Sequence, residues 1–84
     1  MLDKDTDFPQ FRKLSNDKVF YKIISDREFH EIQVIGTFAQ LYKIEAKQYP
    51  EILKIQDMLN YSIEGFVSSS REEYERLLDA NALR

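Results

Sequence analysis

The segment FHEIQVIGTFAQLYKI constrains the fold more than any other part of the chain, because two apolar-rich stretches flank Gly36 and Thr37. Valine, isoleucine and the aromatic residues favour β-strands. A two-residue loop that begins with glycine is typical of a tight hairpin, since glycine adopts a positive φ without strain. The spacing predicts that Ile35 lies opposite Phe38.

The start of this hairpin has two interpretations. SDRE, from Ser25 to Glu28, has the Ser-x-x-Glu spacing of a capping box, so residues 26–35 are compatible with a helix as well as with a strand. The β-branched residues of IQVIG favour the strand. We therefore expect a turn at SDRE, followed by the first strand of the hairpin.

The predicted hairpin presents two different faces. The first is apolar but interrupted by amides and an acid: Phe29, Glu31, Gln33, Ile35, Phe38, Gln40, Tyr42 and Ile44. The second is aliphatic near the turn and charged at the open end, where His30 lies beside Glu28 and opposite Lys43, and Glu28 opposes Glu45. We expect a helix to cover the first face, and an N-terminal arm or a partner to cover the second.

The chain before the hairpin divides into an arm and a strand. Residues 1–17 are polar and rich in aspartate, with Phe8, Phe11 and Leu14 spaced three apart. This spacing fits one or two helical turns, and an extended arm laid over the domain fits equally well. The next apolar segment, VFYKII, predicts a strand from about residue 19 to residue 24.

A helix is predicted to begin at Pro50, because proline fits the first helical position and disfavours helix in the residue before it. Asn60 is placed to end it. Its apolar residues form one stripe: Ile52, Ile55, Met58 and Leu59, widened by Leu53. This helix should pack one side against the sheet.

A short strand and a second helix complete the chain. The strand, within residues 61–69, has Ile63 and Phe66 or Val67 as anchors, and its Gly65 indicates an edge position. The helix starts with Ser69 or Ser70 as its cap and with Glu72 or Glu73 three residues later. Its apolar stripe is Tyr74, Leu77, Leu78 and Ala82.

The predicted order βββαβα describes a small α+β domain with an antiparallel sheet of three to four strands and two helices, the last one C-terminal. The domain spans residues 18–84, and residues 1–17 form the polar arm. A chain of 84 residues holds one modest core.

Composition limits the setting in which this chain works. Its net charge of −3 and pI of about 5.1 argue against broad attraction to nucleic acid or anionic membranes. The chain has no cysteine, which suits a reducing compartment, and no apolar run approaches the ~18 residues of a membrane span. We expect a soluble, cytoplasmic protein.

The sequence offers little for catalysis or for ligand chemistry. His30 is the single histidine. Asp3, Asp5 and Asp7 alternate like the first half of a calcium loop, but the glycine and the closing glutamate of such a loop are missing. Two glycines in the whole chain leave no glycine-rich phosphate loop. We predict no enzyme activity, no metal and no cofactor.

Elimination leaves a small protein-interaction or accessory module, which docks a protein partner or a second copy through a partly apolar sheet face or an edge strand. The alternative is a single-stranded nucleic-acid-binding domain, whose aromatic and basic side chains stack and hold the strand on the sheet. The residues predicted for the binding surface are Phe20, Lys22, Phe38, Tyr42 and Lys43.

Overall fold

The computed structural model describes residues 7–61 and 65–83. Within these ranges five strands and two helices follow the order ββββαβα. Their bounds are β1 Gln10–Leu14, β2 Val19–Ser25, β3 Glu28–Ile35, β4 Phe38–Glu45, α1 Tyr49–Asn60, β5 Phe66–Ser68 and α2 Arg71–Ala80. The α+β class, the antiparallel sheet and the C-terminal second helix are confirmed, and the sheet has more strands than the three to four predicted.

The strands form one antiparallel sheet in the order β4-β3-β2-β1-β5. The predicted hairpin is confirmed, with Ile35 opposite Phe38, and Gly36 takes the positive φ of 61° that its turn requires. Residues 28–35 are strand rather than helix, so SDRE is a turn and not a cap. β5 lies at an edge as predicted, and the anchor expected at Ile63 lies outside the described residues.

Residues 10–14, which were expected to belong to the arm, form a strand that pairs with both β2 and β5. The helical alternative for this segment is therefore wrong. The three-residue spacing of Phe8, Phe11 and Leu14 was misleading. Phe11 and Arg12 are adjacent and both buried, because neighbouring side chains of a strand point to opposite faces and both faces of this sheet are covered. The segment extends the sheet and does not lie over one of its faces.

Helix α1 covers the first face of the sheet. It starts at Tyr49, one residue earlier than predicted, where the Glu51 side chain accepts a hydrogen bond from the Gln48 N–H at 3.3 Å, and it ends at Asn60 as predicted. Ile55 and Met58 are fully buried in its core. That core contains Tyr21, Ile23, Phe29, Ala46, Ile55 and Met58, with Phe8, Leu14, Val19, Ile44, Ile52, Leu59 and Phe66 packed around them.

Helix α2 covers the second face, where the arm or a partner was expected. Ser70 is its cap and accepts a hydrogen bond from the Glu73 N–H. The core on this side contains Phe11, Phe20, Ile32, Ala39 and Tyr74, with Val34, Leu41, Leu77, Leu78 and Leu83 around them. Ala82 does not belong to the stripe because the helix ends at Ala80, and Leu83 packs against the core instead. Neither helix in the described part of the chain is long and apolar enough to cross a membrane.

Candidate functional site

The five residues predicted for one binding surface lie on both faces of the sheet. Phe20 is buried beneath α2, on the same face as Lys22 and Lys43. Phe38 and Tyr42 lie on the opposite face, because side chains one residue apart along a strand point to opposite sides. The structure therefore places Lys22 and Lys43 on one face of the sheet and Phe38 and Tyr42 on the other.

The first candidate surface is an apolar patch at the turn end of the α1 face, the hairpin patch of Ile35, Phe38 and Tyr42. These side chains are 43%, 51% and 40% exposed. Helix α1 covers this face as far as Glu31, which is buried. The Glu31 carboxylate accepts a hydrogen bond from Lys54 Nζ at 3.3 Å and another from Gln33 Nε2 at 2.6 Å. Beyond that point the described chain leaves the aromatic face open to solvent.

The hairpin patch adjoins the β4 edge, a sheet edge along which no other strand pairs in residues 7–61 and 65–83. β4 is eight residues long, whereas β5 at the opposite edge has three. In a hairpin with a two-residue loop the closing pair is hydrogen-bonded, so Phe38 and every second residue after it direct their N–H and C=O groups toward β3. The backbone groups of Ala39, Leu41, Lys43 and Glu45 consequently point toward the free edge.

The second candidate surface is a cleft of about 260 Å³ on the α2 face, the basic cleft. It is lined by Lys22, His30, Leu41, Lys43, Tyr74, Leu78 and Leu83. Lys22 is the cross-strand neighbour of His30, and His30 is the neighbour of Lys43, so three basic side chains form a row across β2, β3 and β4. At the usual strand separation this row spans roughly 10 Å.

Tyr74 combines deep burial with an unused hydrogen-bonding group. The residue is 1% exposed, and its hydroxyl is the buried side-chain polar atom that has no hydrogen-bond partner among the described residues. Burial, aided by the negative charge of Glu31, raises the pKa of this hydroxyl above its ordinary value of 10.0. It is therefore a neutral O–H donor at physiological pH, and leaving it unpaired costs about 1–3 kcal/mol.

Glu28 and Glu45 lie on the same face as the basic row, at the open end of the hairpin. His30 Nε2 lies 3.3 Å from Glu28 Oε2, as the predicted proximity of these residues implied. Lys22 and Lys43 form no ion pair with any residue in the described ranges, whereas Lys13 and Lys54 each have a carboxylate within reach. No group of three or more potential metal ligands occurs among the described residues, and Asp3 and Asp5 lie outside them.

The basic cleft was not predicted from the sequence, for two reasons. The predicted hairpin register placed His30 opposite Lys43, but it left open the β2–β3 register, which adds Lys22 to the row. Tyr74 was assigned to the apolar stripe of α2, and nothing in the sequence distinguishes a tyrosine whose hydroxyl lacks a partner from one that is hydrogen-bonded. Regular pairing from Ser25 opposite Glu28 would have placed Lys22 opposite Glu31, on the other face. A β-bulge between Ile23 and Ser25 shifts the register by one residue and sets Lys22 opposite His30, and the sequence carries no signal for that bulge.

Comparison with known proteins gives no functional information. No protein-family model, no curated protein and no solved structure matches this chain. The β4 edge, the hairpin patch and the basic cleft are therefore the features from which a function can be inferred.

Proposed function

We propose that this chain is a small, non-enzymatic protein-interaction module that docks a second copy of itself along the β4 edge. The observation that supports this most directly is the difference between the two sheet edges. Proteins blunt their free edges by keeping them short or charged, and β5 follows this pattern. β4 offers eight residues beside an exposed apolar patch, which is the arrangement that strand addition uses.

The alternation of β4 makes it self-complementary. A twofold axis perpendicular to the sheet at this edge pairs two antiparallel β4 strands. The same faces of the two copies then join only if even-numbered residues pair with even-numbered residues and odd with odd. Pairing centred on Leu41 places Phe38 beside Ile44 of the second copy and Gln40 beside Tyr42 of the second copy. Pairing centred on Tyr42 satisfies the same condition, so the two registers are separate forms of the proposal.

Charge also permits self-pairing. With Leu41 at the centre, Lys43 faces Ala39 of the second copy, and no two like charges within β4 oppose each other. The result is a continuous sheet of ten strands, five from each copy, with both α1 helices on one side. Such docking is compatible with the reducing cytoplasm, because a chain without cysteines has no disulfide that could be reduced there.

Nucleic-acid binding is the weaker candidate. Its five residues are divided between two faces, and Phe20 lies beneath α2, where a base has no access. Stacking of successive bases needs exposed aromatic side chains beside basic ones on one surface. In this chain the exposed aromatic residues Phe38 and Tyr42 and the unpaired lysines Lys22 and Lys43 are on opposite sides of the sheet.

The proposal is tested by measuring the mass of the protein in solution over a range of concentrations, using light scattering after size-exclusion chromatography. We expect a dimer for the natural sequence. Phe38→Glu should weaken the dimer at least about tenfold, because it places a charge against apolar groups of the second copy. Tyr49→Glu is the matched control, since Tyr49 is an exposed aromatic residue that belongs to α1 and not to β4, and it should leave the dimer unchanged.

Cysteine substitution identifies the edge and the register. The chain has no native cysteine, so one introduced residue gives one possible disulfide between copies. Leu41→Cys should cross-link if Leu41 lies on the axis, and Tyr42→Cys if Tyr42 does, because facing Cα atoms at about 4.5–5.5 Å meet disulfide geometry. Val67→Cys on β5 is the control and should not cross-link. A monomer at every concentration, or cross-linking through Val67→Cys instead, would refute docking at β4.

A further inference from the structure

The basic cleft lies on the face opposite the hairpin patch, shares Leu41 and Lys43 with the β4 edge, and has the features of a ligand site. We propose that it binds a small organic carboxylate with a compact apolar body. The carboxylate would lie on the row of Lys22, His30 and Lys43, and the apolar body would lie against the leucines contributed by β4, α2 and the residues after α2.

The arrangement of charges supports an anion. Lys22 and Lys43 carry like charges on the two strands that flank β3, and His30 lies between them in the same row. Elsewhere in the described chain Lys13, Lys54 and Arg71 have carboxylates within 4 Å, but Lys22 and Lys43 do not. A carboxylate held between Lys22 and Lys43 supplies the missing opposite charge.

Tyr74 is a second, independent observation. Its side chain lines the cleft, and its neutral hydroxyl is buried without a hydrogen-bond partner among the described residues. Buried polar groups in folded proteins are nearly always satisfied, and an exception indicates a missing partner. An oxygen of the carboxylate accepts the hydrogen bond that the protein itself does not.

The size and lining of the cleft define the rest of the ligand. Its volume of about 260 Å³ is smaller than the roughly 300–1,000 Å³ of sites for drug-sized molecules, so a compact ligand fits. Leu41, Leu78 and Leu83 line it beside the bases. A purely inorganic anion would leave these apolar walls in contact with water, which favours a carboxylate bearing a short hydrocarbon chain over a bare ion.

The test is a titration of the full chain followed by amide NMR, with hexanoate as the probe. We expect saturable shifts at residues around Lys22, His30 and Leu78. Hexanol carries the same apolar chain without the charge, and inorganic phosphate carries the charge without the chain. Each should bind about tenfold more weakly than hexanoate, because each lacks one of the two sets of contacts.

Matched variants separate the site from general effects of charge and stability. Tyr74→Phe should weaken hexanoate about tenfold while leaving the unfolding midpoint the same or higher, since it removes an unpaired buried hydroxyl. Tyr21→Phe is the control on the other face of the sheet and should not change binding. Lys22→Met should also weaken hexanoate about tenfold. Lys18→Met, with the same change in net charge at an exposed turn position, should not.

Each contrary outcome overturns the proposal. If hexanoate produces no saturable shift at millimolar concentration, the cleft is not a carboxylate site. If hexanol binds as tightly, the lysines play no part, and if phosphate binds as tightly, the apolar walls play none. If Lys18→Met weakens hexanoate as much as Lys22→Met does, the binding is a general effect of charge.

Discussion

At the scale of single residues, Arg12 shows how this small domain buries a charge. The residue is 7% exposed, and its guanidinium donates from Nε to Met58 O at 2.9 Å and from Nη1 to Phe11 O at 2.9 Å. It also lies 4.4 Å from the centre of the Tyr61 ring. Helix α1 has no basic residue in its last turn, so Arg12 on β1 supplies the positive charge that the helix C-terminus favours.

Arg12→Met should therefore destabilise the fold. The substitution keeps much of the apolar stem but removes the hydrogen bonds to the α1 carbonyls, and we expect the free energy of unfolding to fall by about 3 kcal/mol in urea denaturation. Arg76→Met, at an exposed position on α2, is the control and should change it by less than about 0.5 kcal/mol. Equal effects of the two variants would show that the capping by Arg12 contributes nothing.

Arg12 also marks what hydrophobic patterning cannot reveal. The β-branched and aromatic residues of β3 and β4 predicted the two strands, and the two-residue turn at Gly36 and Thr37 predicted their register. Arg12 and Glu31 are charged but buried, and the contacts that permit this come from distant α1, through Met58 and Lys54 respectively. The strand β1 was missed because its inward-facing charge is satisfied by a part of the chain 46 residues away.

At the scale of elements, an ionic link joins β1 to the start of α2. Lys13 Nζ lies 3.0 Å from Glu73 Oε2 and 2.8 Å from Asp17 Oδ1, and Ser69 Oγ donates to Glu73 Oε1 at 2.6 Å. The hydrogen bond from Ser69, followed by that from Lys13, lowers the pKa of Glu73 from its ordinary value of 4.5. The sequence predicted the serine caps and the acids of this helix turn but not the lysine from β1.

This lowered pKa predicts a pH-dependent stability. A carboxyl whose folded-state pKa is depressed stabilises the protein above its unfolded-state pKa, and that contribution is lost as the pH falls through the folded-state value. Glu73→Gln should therefore destabilise the protein at pH 7. The difference from the natural sequence should narrow and vanish below the lowered pKa.

Urea denaturation over an acidic pH series measures this difference. Glu72→Gln, on the same helix turn but exposed, is the matched control and should cause a smaller loss at neutral pH. A gap between Glu73→Gln and the natural sequence that stays constant from neutral to acid pH would contradict the ionic link.

At the scale of the whole molecule, one sheet separates two cores that share their strands. Ile23 and Phe29 point to the α1 side, while Phe20 and Ile32 of the same two strands point to the α2 side. Each core is too small to fold alone in a chain of 84 residues. The sequence predicted both helices and their apolar stripes. It did not predict that α2 covers the second face, because residues 10–14 were assigned to a covering arm and not to a strand of the sheet.

Because the two cores share strands, a substitution that destabilises one core should destabilise the other core by the same amount. Ile55→Ala removes a fully buried side chain beneath α1 and should cost about 2–5 kcal/mol, a large part of the total stability of a small domain. Because β2 and β3 belong to both cores, amide hydrogen exchange should show α1 and α2 losing protection by the same factor. Leu53→Ala, on the exposed side of α1, should change neither helix. If α2 kept its protection in Ile55→Ala, the two faces would unfold separately, and the shared strands would not couple the two cores.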